Sequence, residues 1–241
     1  MMFDEVMRQA AHAYGITLTE EQQEKFRRYY ELLVEWNERM NLTAITEPGE
    51  VALKHMVDSL SGWDEKTLAE DASVIDVGTG AGFPGLPLKI YRPALRLTLL
   101  DSLNKRVKFL QAVVEELGLK DVTCIHGRAE EAARDKALRE SFDIAVSRAV
   151  ARLPVLAEYA LPFVKPGGVF LAWKGLQYRE EAEEAGKAVA LLGGEGIGIR
   201  EVHLPGMEDV RAILCIPKTK PTPGEYPRKA GTPAKKPLVS H

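Results

Sequence analysis

From residue 73 onward the chain alternates between short apolar runs and helical stretches, and few folds accommodate that alternation. The runs are Ser73–Val77, Arg96–Leu100, Val122–Ile125, Phe142–Val146, Val169–Trp173, Ile197–His203 and Ala212–Ile216. Helical patterns fall between them, near 83–91, 104–117, 129–139, 152–163 and 177–192. Strands separated by helices of this length form a parallel sheet with crossover helices. The last two runs are joined only by Leu204–Val210, which is too short for a crossover, so they pair antiparallel. The expected fold class is α/β, with five parallel strands ending in an antiparallel hairpin.

The ends of the chain follow different rules. Residues 1–62 read as a helical extension, 63–216 as the α/β domain and 217–241 as a tail. Thr19 opens a capping box with Gln22, and Phe26, Tyr29, Tyr30, Leu33, Trp36 and Met40 then recur on one helical face. That stripe reads as helix packing. Asn41-Leu42-Thr43 ends the helix, and Thr46-Glu47-Pro48 opens another that places His55 and Asp58 three apart on one face. The tail carries six prolines and six lysines or arginines against the single Glu225. Its net charge is +5, which leaves residues 1–216 at −8 out of a total of −3. An acidic body with a basic tail suits an anionic partner such as nucleic acid, and a solvated, unstructured tail is the plainer alternative. Lys54, Lys89 and Arg92 are expected on a solvated face.

Composition closes off other classes. No apolar run approaches the roughly 20 residues of a membrane span, and Met-Met-Phe-Asp-Glu-Val-Met-Arg is no signal peptide. Two cysteines, Cys124 and Cys215, exclude a disulfide framework and a Cys-rich metal site; both sit among apolar neighbours. A cytoplasmic protein without a metal is expected.

The sharpest local signal is Asp76-Val77-Gly78-Thr79-Gly80-Ala81-Gly82-Phe83-Pro84-Gly85, between a strand and a helix. Glycines there let backbone turn tightly and lie against a ligand. The dinucleotide fingerprint needs its third glycine at 83, where this chain has Phe83, and that counts against NAD. Asp101 ends the second strand, where a carboxylate can accept from two ribose hydroxyls. Ala129-Glu130 follows the third strand, and an acid there can meet an adenine amino group. Arg148 ends the fourth. All map to the carboxyl edge of the sheet, where open α/β sheets bind ligands. An adenosine-type ligand is the expectation.

Together these residues resemble the class I S-adenosylmethionine-dependent methyltransferases. More closely the chain is similar to the RsmG family, formerly glucose-inhibited division protein B. The specific stretches are Trp36–Thr43, Ser147–Ala151 and Tyr226–Pro233, with Lys54–Leu60, Asp76–Pro87, Asp101–Arg106 and Lys174-Gly175 in support. The resemblance implies a Rossmann-like methyltransferase sheet and S-adenosyl-L-methionine as cofactor. It implies methylation of guanine N7 in the 530 loop of 16S rRNA, with the 30S subunit as partner and a monomeric enzyme. It places Gly78, Gly80, Gly82, Phe83, Asp101, Ala129, Glu130 and Arg148 at the cofactor. His55, Arg148, Lys174, Arg228 and Lys229 become candidates for the RNA or target-base side. Guanine N7 carries a lone pair and no proton, so no general base is required. On this reading the tail contacts RNA backbone and leaves cofactor affinity untouched. The rivals are an NAD-dependent oxidoreductase, a methyltransferase of another target, and an RNA-binding protein with a relict cofactor fold.

Overall fold

The computed structural model describes residues 2–64 and 71–239. The helical extension holds α1 (Phe3–Ala13), α2 (Glu20–Met40) and α3 (Pro48–Val51). A π-helical turn, Ala52–Val57, leads from α3 into α4 (Asp58–Leu60). Thr19 makes the capping box with Gln22, and α2 stops where Asn41 takes a left-handed conformation at φ 50°. The Asn37 side chain then accepts from the amides of Leu42 at 2.6 Å and Thr43 at 2.9 Å, reversing the chain.

The sheet follows as β1 (Ser73–Val77), α5 (Gly85–Tyr91), β2 (Arg96–Asp101), α6 (Asn104–Glu116), β3 (Val122–His126), α7 (Ala129–Ala132) and β4 (Phe142–Arg148). Next come α8 (Leu153–Ala160), a 3-10 turn at Leu161–Phe163, β5 (Val164–Lys174), α9 (Tyr178–Leu191), β6 (Gly198–Val202) and β7 (Arg211–Pro217). The strand order is β3-β2-β1-β4-β5-β7-β6. The first five strands are parallel, and β7 runs antiparallel to both β5 and β6. The order reverses between β1 and β4, so a ligand crevice opens at their carboxyl ends.

Alternation along the strands assigns the two faces. Val74, Leu97, Leu99, Ile144, Val146 and Leu171 pack with Phe26, Tyr29, Leu33, Met56 and Leu86, so the helical extension shares one core with this face. Ile75, Val77, Ala145, Phe170, Ala172 and Leu214 pack with Leu153, Leu156, Phe163, Ala185 and Val189 on the other. Phe26 and Tyr29 are fully buried, and each such side chain contributes on the order of 1.5–3 kcal/mol. Tyr30 stacks on Phe3 and Trp36 leans on Phe109, so the aromatic stripe is packing.

Four expectations need correction. The pattern over 129–139 is helical only at Ala129–Ala132. Beyond it the Asp135 carboxylate accepts from the Ala137 amide at 2.9 Å, a local bond that competes with the helical ladder. Lys89 is buried rather than solvated; its ammonium donates to the carbonyls of Pro93 and Leu95 beyond the end of α5. Cys124 and Cys215, whose apolar sequence neighbours point to buried small hydrophobes, are only half-buried. The tail is neither unstructured nor free through residue 239; residues 240 and 241 lie outside the described residues. Lys218 is buried, donating to Glu140 at 3.2 Å, Leu161 O at 2.8 Å and Thr222 Oγ1 at 2.7 Å. Burial lowers its pKa to about 8 while Glu140 resists the shift. Arg139 donates to the carbonyls of Tyr226 at 2.9 Å and Thr222 at 2.8 Å, and α10 (Thr232–Lys235) follows. The body's own charges hold the tail: Glu140 pairs with Lys218 and Glu158 with Arg228. Among the described residues no helix is long and apolar enough to cross a membrane.

Candidate active site

Asp76 organises the glycine loop. It is fully buried on β1, and its Oδ2 accepts from the Thr79 hydroxyl at 2.7 Å and the Gly85 amide at 2.8 Å. Its Oδ1 has no hydrogen-bond partner. Burial pushes its pKa up to about 7 against the pull of those two donors. Gly78, Gly80 and Gly82 all have positive φ. A Cβ on Gly78 would stand 2.7 Å from Val150, whereas one on Gly80 would meet nothing within 4 Å. Gly82 faces the protein, where a Cβ would lie 2.5 Å from the Tyr29 hydroxyl and 2.4 Å from Leu86. Its glycine lets α2 approach the loop, and Tyr29 donates to Ala81 O from below. Gly82 therefore lines neither of the cavities that Gly78 and Gly80 border.

Two cavities open at this edge. One, of about 350 Å³, is lined by Thr43, His55, Gly78, Gly80, Phe83, Asp101, Arg148 and Val150 among others. The second, of about 110 Å³, is lined by Gly78, Ser102, Ala129, Glu130, Val150 and Tyr159 among others. They share Gly78, Ser102 and Val150. Asp101 is buried, with Oδ2 accepting from the Gly80 amide at 2.9 Å and Oδ1 from the Leu103 amide at 2.8 Å. It thus fixes the loop that it borders.

Arg148 sits between strand edge and helical extension. Nη1 donates to Asp58 Oδ2 at 2.7 Å and to Lys54 O at 3.0 Å, and Nη2 lies 3.2 Å from His55 Nδ1. Its Cζ lies 4.9 Å from the centre of the Phe83 ring. His55 stacks on the same ring at 4.7 Å, and its Nε2 is 2.8 Å from the Thr43 hydroxyl. Burial, and then the Arg148 charge, lower the His55 pKa to about 4. Nδ1 also lies 3.2 Å from the Lys54 carbonyl, so the ring sits among the Arg148 guanidinium, that carbonyl and the Thr43 hydroxyl. Two of these contacts, His55 and Lys54 O, come from the π-helical turn, and Asp58 directly follows it. Such turns are frequent at functional sites, but apolar periodicity carries no mark of one. Thr43 and Tyr29 were also missed, although Asn37-x-x-x-Asn41-Leu42-Thr43 marks the reversal that delivers Thr43.

A third cavity, of about 460 Å³, adjoins the first through Arg148, Ala149 and Val150. Asp58, Trp173, Lys174, Glu181 and Arg211 also line it. Lys174 is buried and lies 2.7 Å from Glu181. Arg228 lines none of these cavities; it grips Glu158, with Nη2 at 2.6 Å from Oε2. Lys229 is exposed. The structure thus gathers His55, Gly78, Gly80, Phe83, Asp101 and Arg148 around one cavity and Ala129 and Glu130 around its neighbour. It sets Arg228 and Lys229 elsewhere. Among the described residues no group of three His, Cys, Asp or Glu is placed to hold a metal ion.

The family description rRNA small subunit methyltransferase G matches residues 22–209. Ribosomal RNA small subunit methyltransferase G of Geobacillus thermodenitrificans is 54% identical over 224 residues, 93% of this chain and 94% of that protein. Its counterpart in Alkaliphilus metalliredigens is 51% identical over 233 residues, 97% of this chain and 98% of that one. Among solved structures, an S-adenosylmethionine-dependent methyltransferase from Aquifex aeolicus shares the fold. Its TM-score is 0.54 at 19% identity, covering 73% of this chain and 96% of that one. By sequence along nearly its whole length, the chain belongs to the rRNA small subunit methyltransferase G family.

Proposed function

We propose that the chain transfers a methyl group from S-adenosyl-L-methionine to N7 of a guanine in the 530 loop of 16S rRNA, acting as a monomer on the 30S subunit in the cytoplasm. The observation that carries this reading is the meeting of two cavities, of about 350 and 460 Å³, at Arg148. One has the features of a nucleoside site and the other has room for a base.

The residues present fit the cofactor. Gly80 leaves open space where any Cβ would project, beside the buried Asp101 carboxylate. Glu130 is a second buried carboxylate, lining the adjoining cavity of about 110 Å³. Asp101 would hold the ribose and Glu130 the adenine amino group, with Phe83 and Arg148 at the reacting end. When bound, S-adenosyl-L-methionine supplies an electrophilic methyl carbon.

The chain's own contribution is alignment and exclusion of water. Guanine N7 has a free lone pair, so no side chain need take a proton. His55 fits that requirement. At neutral pH it is uncharged, and its two ring nitrogens face Arg148 and Thr43. It orients Arg148 instead of acting as a base. Positioning of this kind supplies on the order of 7–11 kcal/mol of a barrier. The larger cavity, with Trp173, Lys174, Arg148 and Arg211, would receive the target base splayed from its loop. Exposed Lys229 would meet the RNA backbone.

The test is transfer of a labelled methyl group to 30S subunits, followed by mapping of the modified base. Label at guanine N7 in the 530 loop is the expected result. Label on another base or atom, or none, overturns the reading.

A further inference from the structure

Midway along the tail, Arg228 makes a fork-to-fork anchor. The Arg228 Nε lies 2.9 and 3.1 Å from the two oxygens of Glu158, its Nη2 2.6 Å from Oε2, and its own amide 2.7 Å from Oε1. Glu158 is wholly buried on α8. Arg134 and Arg139, from the turns after α7, hold the carbonyls of Pro227, Tyr226 and Thr222. Three residues past the anchor, Gly231 turns left-handed at φ 81° and aims its amide at Glu130 Oε1, 2.9 Å away. The same oxygen accepts from Arg128 Nη2 at 3.0 Å. Pro233 is buried just beyond, in the first turn of α10.

Glu130 is 3% exposed and lines the smaller cavity, whereas no residue of the tail does. Through the Gly231 amide the tail reaches a carboxylate of this edge directly. Gly231 and Arg128 both meet Oε1, so neither of them occupies the second oxygen, which can turn toward a ligand. Burial raises the pKa of Glu130, but the Gly231 amide, the residue's own amide and Arg128 together outweigh it and hold the group below its ordinary value. The carboxylate stays an ionised acceptor.

We propose that Tyr226–Pro233 is a positioning strap for the adenine end of the cofactor site: the Arg228–Glu158 anchor seats Gly231, and Gly231 sets the orientation of Glu130 toward a ligand's exocyclic amino group. The inference rests on the assignment of Glu130 to adenine made above. It replaces the expectation that the tail is independent of cofactor binding. Arg228 is a positioning residue, because it acts through Gly231 and Glu130 and lines no cavity itself.

Calorimetry with S-adenosylhomocysteine and its inosine counterpart, in which a 6-oxo group replaces the 6-amino group, tests this. The full-length chain is expected to prefer the adenosine ligand by about tenfold or more, the range of one hydrogen bond to a charged group. Glu130→Gln and Arg228→Ala should each reduce that preference severalfold, and Arg228→Lys should restore part of it. A Lys235→Ala, Lys236→Ala double variant, which removes tail charge away from the anchor, should keep it. A general loss of stability weakens both ligands alike and leaves the ratio where it was. If the Arg228 variants keep the full preference while Glu130→Gln loses it, the strap is overturned and the adenine assignment stands. If Glu130→Gln keeps it, both fall. Hydrogen exchange decides the matter without any variant. Coupling between sites is reciprocal, so saturating S-adenosylhomocysteine must slow exchange of the Gly231 amide severalfold in the unaltered chain. Unchanged exchange there overturns the strap.

Discussion

Arg148 Nη1 lies 2.7 Å from the Asp58 carboxylate, 90 residues earlier in the chain, with the two side chains 13% and 2% exposed. Arg211 approaches the same oxygen at 3.2 Å. The pair joins the helical extension to the end of β4, where the cavities of about 350 and 460 Å³ meet. Removing one partner of such a pair leaves the other's charge buried. Asp58→Ala is therefore expected to destabilise the chain by about 3–5 kcal/mol. Urea denaturation checks this, and a loss below about 1 kcal/mol, the range of an exposed pair, would mean that the two residues form no structural joint.

His55 and Asp76 oppose each other in acid. Burial and Arg148 take His55 from 6.5 to about 4, so between those values the unfolded chain holds a proton there that the folded chain lacks. Stability from His55 accordingly rises as pH rises through that window. Burial takes Asp76 from 3.8 up to about 7, so the folded chain holds the extra proton and stability from Asp76 falls as pH rises. Each slope amounts to a few kcal/mol at most, and they largely offset. His55→Gln should leave a chain that loses stability between about pH 5 and pH 7, and Asp76→Asn one that gains it. Unfolding free energies at the two pH values decide, and slopes of the same sign would refute the assignment.

Asp101 serves the loop as well as any ligand, since it accepts the amides of Gly80 and Leu103. Asp101→Ala should weaken binding of S-adenosylhomocysteine by roughly 1–3 kcal/mol, the range for hydrogen bonds to a charged group. It should also speed exchange of the Gly80 amide. Calorimetry at wild-type affinity would show that the carboxylate serves only the loop.

Lys229, Lys235 and Lys236 are exposed, unlike Lys218 and Arg228. Replacing the three with alanine should lower the salt slope of RNA binding by up to about 3, one for each phosphate that a lysine no longer neutralises. Fluorescence anisotropy across a salt series measures it. An unchanged slope would show that these lysines neutralise no RNA phosphate.

How much of this could be read in advance differs from element to element. Ser73–Val77 and Arg96–Asp101 were legible because their apolar residues are local and periodic. The hairpin was legible because seven residues cannot cross a sheet. The glycine loop with Asp101 was legible because strand ends in this fold converge on one edge whatever packs elsewhere. Thr19 as a helix cap is likewise a matter of four neighbouring residues.

The destinations of charged side chains were settled only by folding. Nothing near Arg228 in the sequence points to Glu158, nor near Lys218 to Glu140, so the tail reads as free cations when its neighbours supply the anions. Gly82 looks like part of a ligand loop until Tyr29 and Leu86 fill the space beside it. The π-helical turn that brings His55 and the Lys54 carbonyl to Arg148 has no periodic signature, since it packs against α1, far earlier in the chain, and its Lys54 carbonyl accepts from Arg148. Local propensity and chain connectivity act over a few residues and are written in order along the sequence. Arg148 with Asp58 and Arg228 with Glu158 pair across 90 and 70 positions, and such partners are chosen by which surfaces the fold brings together.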